Sequence, residues 1–220
     1  MPKLRLQDVE RNQKKIEDGA LRVFTQLGYH GTSVRDIAKA SDISIGNLYN
    51  YYRTKEEIYV SVIQRYESHM EKLRRKSLGE MRGVFDPVVL RRMAHVIREI
   101  VYDNPDYWRL MYIDITEFGN KHFAGTFRSL AKNLKDKLGP QLEASTRDGV
   151  WNHDVDPALA FAAIYLQLFT YFLVEKLFGG KQHLGMSDDR AISQLIQIAT
   201  EGIWLKRGKA KHGGLRRTKK

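Results

Sequence analysis

Apolar residues recur along this chain at the three-to-four-residue spacing of helices, and no stretch alternates as a half-buried strand would, so the chain reads as all-α. Val9, Ile16, Ala20, Val23, Phe24 and Leu27 form the first stripe, over residues 8–27, with Gly28 placed to stop the helix and Gly31 to loosen the loop. Gly19 falls inside that stripe, where glycine costs about 1 kcal/mol relative to alanine. A longer stripe follows Thr54: Ile58, Val62, Tyr66, Met70 and Leu73 lie on one face of a helix that runs to residue 77 or 78, before Gly79. At 1.5 Å rise per residue such a helix spans roughly 30 Å or more, enough to join two domains rigidly. Beyond Gly83, Asp86-Pro87, Asn104-Pro105 and Asp156-Pro157 each set a capping side chain before a proline at the first helical position. Ser187 with Asp188 and Asp189 opens the last helix. The implied helices are 87–102, 105–118, 121–147, 157–178 and 188–206.

The helix over 157–178 contains ALAFAAIYLQLFTYFLV, a run that is apolar nearly all round. Gln167 and Thr170 interrupt it, and its 17 residues fall short of the roughly 20 that crossing a bilayer needs, so no membrane is expected. Such a helix needs partners on both faces, one in its own subunit and one in a second copy. The last helix offers a matching stripe, Ile192, Leu195, Ile196, Ala199, Ile203 and Trp204. Two helices from each subunit would form an isologous four-helix interface, with Phe161, Leu168, Phe172, Leu195, Ile196, Ala199 and Ile203 as its candidate residues.

Residues 32–57, TSVRDIAKASDISIGNLYNYYRTKEE, carry three helix starts in a short span. Thr32-Ser33 caps the first, and Asp36 completes a weaker capping box; Val34, Ile37 and Ala38 give that helix its apolar face before Ser41-Asp42 turns the chain. Ser44 caps a second helix, from residue 45 to 51 or 52, in which Gly46 removes a side chain where something could approach closely. Thr54 with Glu57 forms the third start, a full T-x-x-E box. Two short helices joined by a tight turn form a helix-turn-helix, whose second helix fits a DNA major groove about 12 Å wide. Ile45 and Leu48 suit its inward face. Asn47, Tyr49, Asn50 and Tyr51 are amide-bearing or phenolic, able to hydrogen-bond phosphates or base edges, and Tyr52 suits the core.

This run, with its S-x-G-x-L-Y core and its T-K-E-E start of the fourth helix, resembles the N-terminal DNA-binding domain of the TetR family of bacterial transcriptional repressors, over residues 11–65. Tyr52 stands where phenylalanine is usual, so its hydroxyl needs a partner, and Asn50 stands where tyrosine, tryptophan or histidine is frequent. The resemblance implies an N-terminal three-helix helix-turn-helix domain plus a larger helical C-terminal domain for ligand binding and dimerisation. The candidate DNA-facing residues are Ser33, Arg35, Ser44, Ile45, Gly46, Asn47, Tyr49, Asn50, Tyr51 and Lys55. Helix-turn-helix dimers place their recognition helices about 34 Å apart, so the expected partner is double-stranded DNA bearing an inverted repeat.

Charge changes this picture little. The formal net charge is +11, but residues 206–220 alone hold eight cationic side chains and no acidic one, while residues 1–60, with ten basic and eight acidic side chains, are only mildly basic. That tail, KRGKAKHGGLRRTKK, lacks apolar periodicity and is expected to be disordered, either adding salt-dependent attraction to DNA or merely solubilising the chain. The domain bounds are then 1–54 for DNA binding, 55–78 for the linking helix, 79–205 for the second domain and 206–220 for the tail.

The chain has no cysteine, and the histidines at 30, 69, 95, 122, 153, 183 and 212 form no metal-ligand spacing. No enzyme, metal or cofactor is expected, and without a signal-like apolar run near the N-terminus the expected location is cytoplasmic. Aromatic residues cluster between the linking helix and the last helices. They either fill a core or line a cavity for a small apolar ligand, with Trp108, Met111, Tyr112, Phe127, Tyr165 and Phe169 as candidate contacts and Arg109, Glu117, His122 and Gln167 as candidate orienting groups. The resemblance implies a repressor released from its operator by that ligand; the alternative is a DNA-anchored dimer whose second domain binds a protein partner.

Overall fold

Caps written into the sequence set most of the helix boundaries. The computed structural model describes residues 6–79, 86–147, 156–178 and 183–201, and among these every regular element is helical. In chain order they are α1 (Leu6–Leu27), α2 (Val34–Ala40), α3 (Ile45–Leu48), α4 (Lys55–Gly79), α5 (Pro87–Asp103), α6 (Pro105–Phe118), α7 (Ala124–Arg147), α8 (Pro157–Leu177) and α9 (Asp188–Glu201). Gly28 ends α1 at φ 75°, its N–H donating to the Phe24 carbonyl. Ser33 and Asp36 form a reciprocal capping box on α2, and Ser44 accepts the Asn47 N–H at the start of α3. At α4, Thr54 accepts the Glu57 N–H while the Glu57 carboxylate reaches back to the Arg53 N–H.

Among the described residues, two boundaries differ from expectation by three residues or more, and one cap is made otherwise. α3 stops at Leu48 because the next residues tighten into i to i−3 bonds, Asn50 N–H to Asn47 O and Tyr51 N–H to Leu48 O. Asn104 does not cap α6; its amide donates to Ile100 O and closes α5 instead. α7 begins at Ala124, not at residue 121, because the buried Asp114 carboxylate of α6 accepts the N–H groups of His122 and Phe123 and holds residues 121–123 as a turn.

α1, α2 and α3 form a three-helix unit, α4 leads away from it, and α5 packs along α8 with α9 against both. A continuous apolar core joins Phe24, Ile37 and Leu48 to Tyr59, Leu110 and Phe172. By length and composition the stretch Ala158–Leu177 of α8 is apolar enough to cross a membrane, longer than the 17-residue run suggested, and one of its faces packs against its own chain.

The expected interface between copies is corrected at four positions. Phe161, Leu168, Phe172 and Ile196 lie in the subunit's own core, whereas the opposite face of α8 leaves Leu159, Leu166 and Val174 exposed. An all-apolar helix has no polar face in its sequence to say which side turns inward. Leu195 and Ala199 are half-buried against the core, and Ile203 lies outside the described residues.

Candidate DNA-binding surface

α3 is held from behind by Leu48, which is fully buried among Ile37 and its neighbours. That anchor turns Ser44, Ile45, Gly46, Tyr49 and Asn50 to the outside, with Asn47 half-buried between them. Ile45 is 39% exposed, so the sequence-based inward placement is corrected: with Leu48 filling the core, a helix of four residues has room for one apolar anchor. Outward, Ile45 offers a methyl surface suited to the thymine methyl group. A Cβ on Gly46 would meet nothing within 4 Å, which leaves the backbone open to close approach. The Asn50 amide lies 3.4 Å from the Asn47 carbonyl oxygen, so the two side chains form one adjacent polar pair. Ser33 and Arg35 are exposed at the start of α2, and hydrogen bonds from Ser33 hold the Asp36 carboxyl below its ordinary range.

Two of the expected DNA contacts are already engaged within the protein. Tyr51 accepts a hydrogen bond from Asn12 of α1 at 2.8 Å. Lys55 points inward: its ammonium donates to Tyr29 O and Thr32 O, both at 2.7 Å, and sits 4.1 Å from the Tyr29 ring centre. Its placement as a free phosphate contact is therefore corrected to tying the α1–α2 turn to α4. Arg53, exposed beside α3, is a cation that the sequence reading passed over; its position between two capped helices was the available signal.

The scaffold behind α3 depends on close contacts. A Cβ on Gly19 would fall 2.9 Å from the Ser41 nitrogen and nearer still to its hydroxyl, so α1 and α2 meet at backbone distance. The buried Tyr52 hydroxyl has the partners it needs, donating to Glu17 at 3.0 Å and lying 3.1 Å from the Ser61 hydroxyl. Burial pushes this phenol from 10.0 up to about 12. Because the folded protein keeps the proton longer than the unfolded chain, the stability from neutral Tyr52 is complete below pH 10.0 and is lost as pH rises towards 12. Tyr52→Phe is expected to flatten this alkaline decline, as read from denaturant midpoints on either side of that window.

The second domain divides the candidate ligand residues. Trp108 and Met111 are buried, Trp108 donates to Val101 O at 3.2 Å, and its ring meets Phe169 edge-on at 5.1 Å; Tyr165 stacks on Phe169. Tyr112 lies apart from these, facing a cleft of about 370 Å³ between α1, α6 and the end of α8, lined also by Phe24, Thr25, Gly28, Arg109, Ile113, Leu177 and Phe178. Neighbouring residues on α6 point to different sides, and the sequence lumps them together. The Phe127 side chain lies outside the described residues. Arg109 pairs with Asp106, and His122 packs on Asp114 and towards Glu56. Both carboxylate oxygens of Glu117, a candidate for orienting a ligand, instead accept backbone N–H groups of the α1–α2 turn.

Residues 16–62 match the family described as bacterial regulatory proteins, tetR family. The HTH-type transcriptional regulator AcrR of Shigella flexneri is 31% identical over 97 residues, a stretch spanning 43% of this chain and 44% of that relative. Among solved structures, the TetR family transcriptional regulator PfmR of Thermus thermophilus superposes with a TM-score of 0.61 at 24% identity, over 86% of this chain and 99% of the other. FadR of Bacillus subtilis, solved with stearoyl-CoA, gives a TM-score of 0.56 at 16% identity, over 87% and 99%. At these identities the structural likeness is one of fold. The family match thus rests on residues 16–62, the helix-turn-helix segment, while the rest of the chain shares the helical architecture of the solved structures.

Proposed function

We propose that this chain is a homodimeric, sequence-specific DNA-binding regulator of transcription, acting as a repressor at an inverted-repeat operator in the cytoplasm. The observation that carries the proposal is the outward row Ser44, Ile45, Gly46, Tyr49 and Asn50 on a short capped helix anchored by Leu48, inside the segment that matches the family. Residues 1–54 would form the reading head, 55–78 the link, and 79–205 the dimerising and ligand-binding body. The exposed strip on α8, Leu159, Leu166 and Val174, with Ile198 on α9, supports a second copy as its cover.

The ligand is proposed to be small and apolar, with an acyl chain such as that of an acyl-CoA as the first class to test. The apolar second domain and the stearoyl-CoA complex of a structural neighbour support this class. The edge-to-face packing of Trp108 on Phe169 favours a second reading, in which the domain is filled and meets a protein partner.

Selection of bound duplexes from a random pool tests the DNA reading directly, and an enriched inverted repeat is the expected result. On that sequence Tyr49→Ala is expected to weaken binding to all duplexes alike. Asn47→Ala and Asn50→Ala should relax preference at particular base pairs, each by about 1–3 kcal/mol of discrimination. Equal losses on specific and random DNA would refute this division. Titrating acyl-CoAs of increasing chain length into the DNA complex tests the ligand; release at no chain length favours the protein-partner reading.

A further inference from the structure

We infer that Glu117 is a positioning residue for DNA recognition: its carboxylate, carried on α6, fixes the orientation of the α1–α2 turn and hence of the recognition helix relative to the body. The inference rests on the DNA-binding reading above. Glu117 Oε1 accepts the Tyr29 N–H at 3.1 Å and Oε2 accepts the His30 N–H at 2.6 Å, so one carboxylate spans two consecutive amides almost ninety residues away in sequence. The arrangement needs Gly28. Its φ of 75° turns the chain so that the next two N–H groups point out of α1, and a Cβ there would stand 2.6 Å from Glu117 Oε1.

The turn is held from two sides with opposite chemistry. Its amides face the carboxylate of the body, and its carbonyls at Tyr29 and Thr32 face the ammonium of Lys55 at the start of α4. Thr32 directly precedes Ser33, the cap of α2, so no free residue separates this clamp from the helix-turn-helix. The Glu117 side chain is only 20% exposed, and charge-assisted bonds in such shelter hold direction better than exposed ones. Phe118 reinforces the join, its ring centre 4.4 Å from that of Tyr29 and 5.0 Å from that of Tyr59. Beside them, the Tyr59 hydroxyl donates to Leu110 O of α6 at 2.9 Å. With the carboxylate removed, the aromatic contacts and the Tyr59–Leu110 bond still join head to body and Lys55 still ties the turn to α4, but the amides of Tyr29 and His30 lose the acceptor that α6 supplies.

The test uses the full chain in three forms: unchanged, Glu117→Ala and Glu117→Gln. Because the chain contains no cysteine, Lys39→Cys and Arg92→Cys, both at exposed sites, accept spin labels at only those two positions. Labelled chains are diluted into an excess of unlabelled ones, and the head-to-body distance distribution is measured without DNA. The unchanged protein should give a narrow distribution and Glu117→Ala a broad one. Glu117→Gln, which keeps one acceptor oxygen, should fall between them.

The second arm measures affinity for operators whose half-sites are moved apart by one base pair. Glu117→Ala is expected to lose about tenfold of the discrimination against the altered spacing while keeping its affinity for a single half-site. A narrow distribution in Glu117→Ala, or a parallel loss on all duplexes with discrimination retained, overturns the inference. Should the unchanged protein select no duplex at all, the DNA reading falls, while the distance measurement still decides the role of Glu117 in orienting the head.

Discussion

Leu166→Glu is expected to convert the proposed dimer into monomers and to abolish retardation of the selected inverted repeat at protein concentrations that saturate it in the unchanged chain. Leu166 is 56% exposed in the single subunit, on the face of α8 that also shows Leu159 at 68% and Val174 at 40%. Three large apolar side chains in one row, on a helix whose other side is already packed, form a surface that water covers poorly. Covering each aliphatic side chain contributes about 1.5–3 kcal/mol, and two-fold symmetry counts every position twice. A carboxylate at the centre of that row reverses the sign, because burying an unpaired charge costs several kcal/mol per ion. Operator binding falls with it, since an inverted repeat is read by two recognition helices held about 34 Å apart. Phe172→Ala is the contrasting variant. Fully buried inside the subunit, it should lower subunit stability by about 3–5 kcal/mol without altering the surface presented to a second copy. Sedimentation equilibrium separates the cases; a Leu166→Glu protein that remains dimeric shows that the strip is not the interface.

The second large effect is expected at Gly19, and its sign opposes helix propensity. In an unpacked helix Gly19→Ala would stabilise by about 1 kcal/mol. Here the added methyl would stand 2.9 Å from the Ser41 nitrogen and 3.0 Å from its Cα, both backbone atoms at the end of α2. No rotamer change relieves that contact, so α1 and α2 must separate, and overpacking of this kind costs about 1–3 kcal/mol. The Ser41 hydroxyl, which donates to Ile37 O at 2.7 Å, would be displaced with it. Reduced thermal stability together with weaker operator binding is the expected outcome. A rise in the thermal midpoint would mean that the close approach of the two helices is wrong.

Glycine at this position shows where reading a sequence meets its limit. The helical spacing of α1 and the glycine within it are visible in the sequence, but a glycine in a helix looks like a defect until the neighbour that requires it is known. Lys55 teaches the same lesson for charge. As a lysine at a helix start beside a recognition motif it suggests a phosphate contact, and only the position of the Tyr29 and Thr32 carbonyls turns it inward. Short-range pattern places Ile45 inward, and the filling of the core by Leu48 turns it outward.

By itself the sequence determined the helical class, nearly all the helix starts and the helix-turn-helix with its outward polar residues. These depend on local chemistry: a hydroxyl or carboxylate that caps, a proline that opens, a glycine that ends, an apolar period that repeats. Tertiary structure alone decided which face of α8 turns inward, why Gly19 and Gly28 must lack a side chain, and that Glu117 grips the α1–α2 turn from α6. Those facts join residues far apart in the chain. Burial, close approach and long-range hydrogen bonding depend on which surfaces meet, and no periodicity within one segment encodes the identity of the segment it will meet.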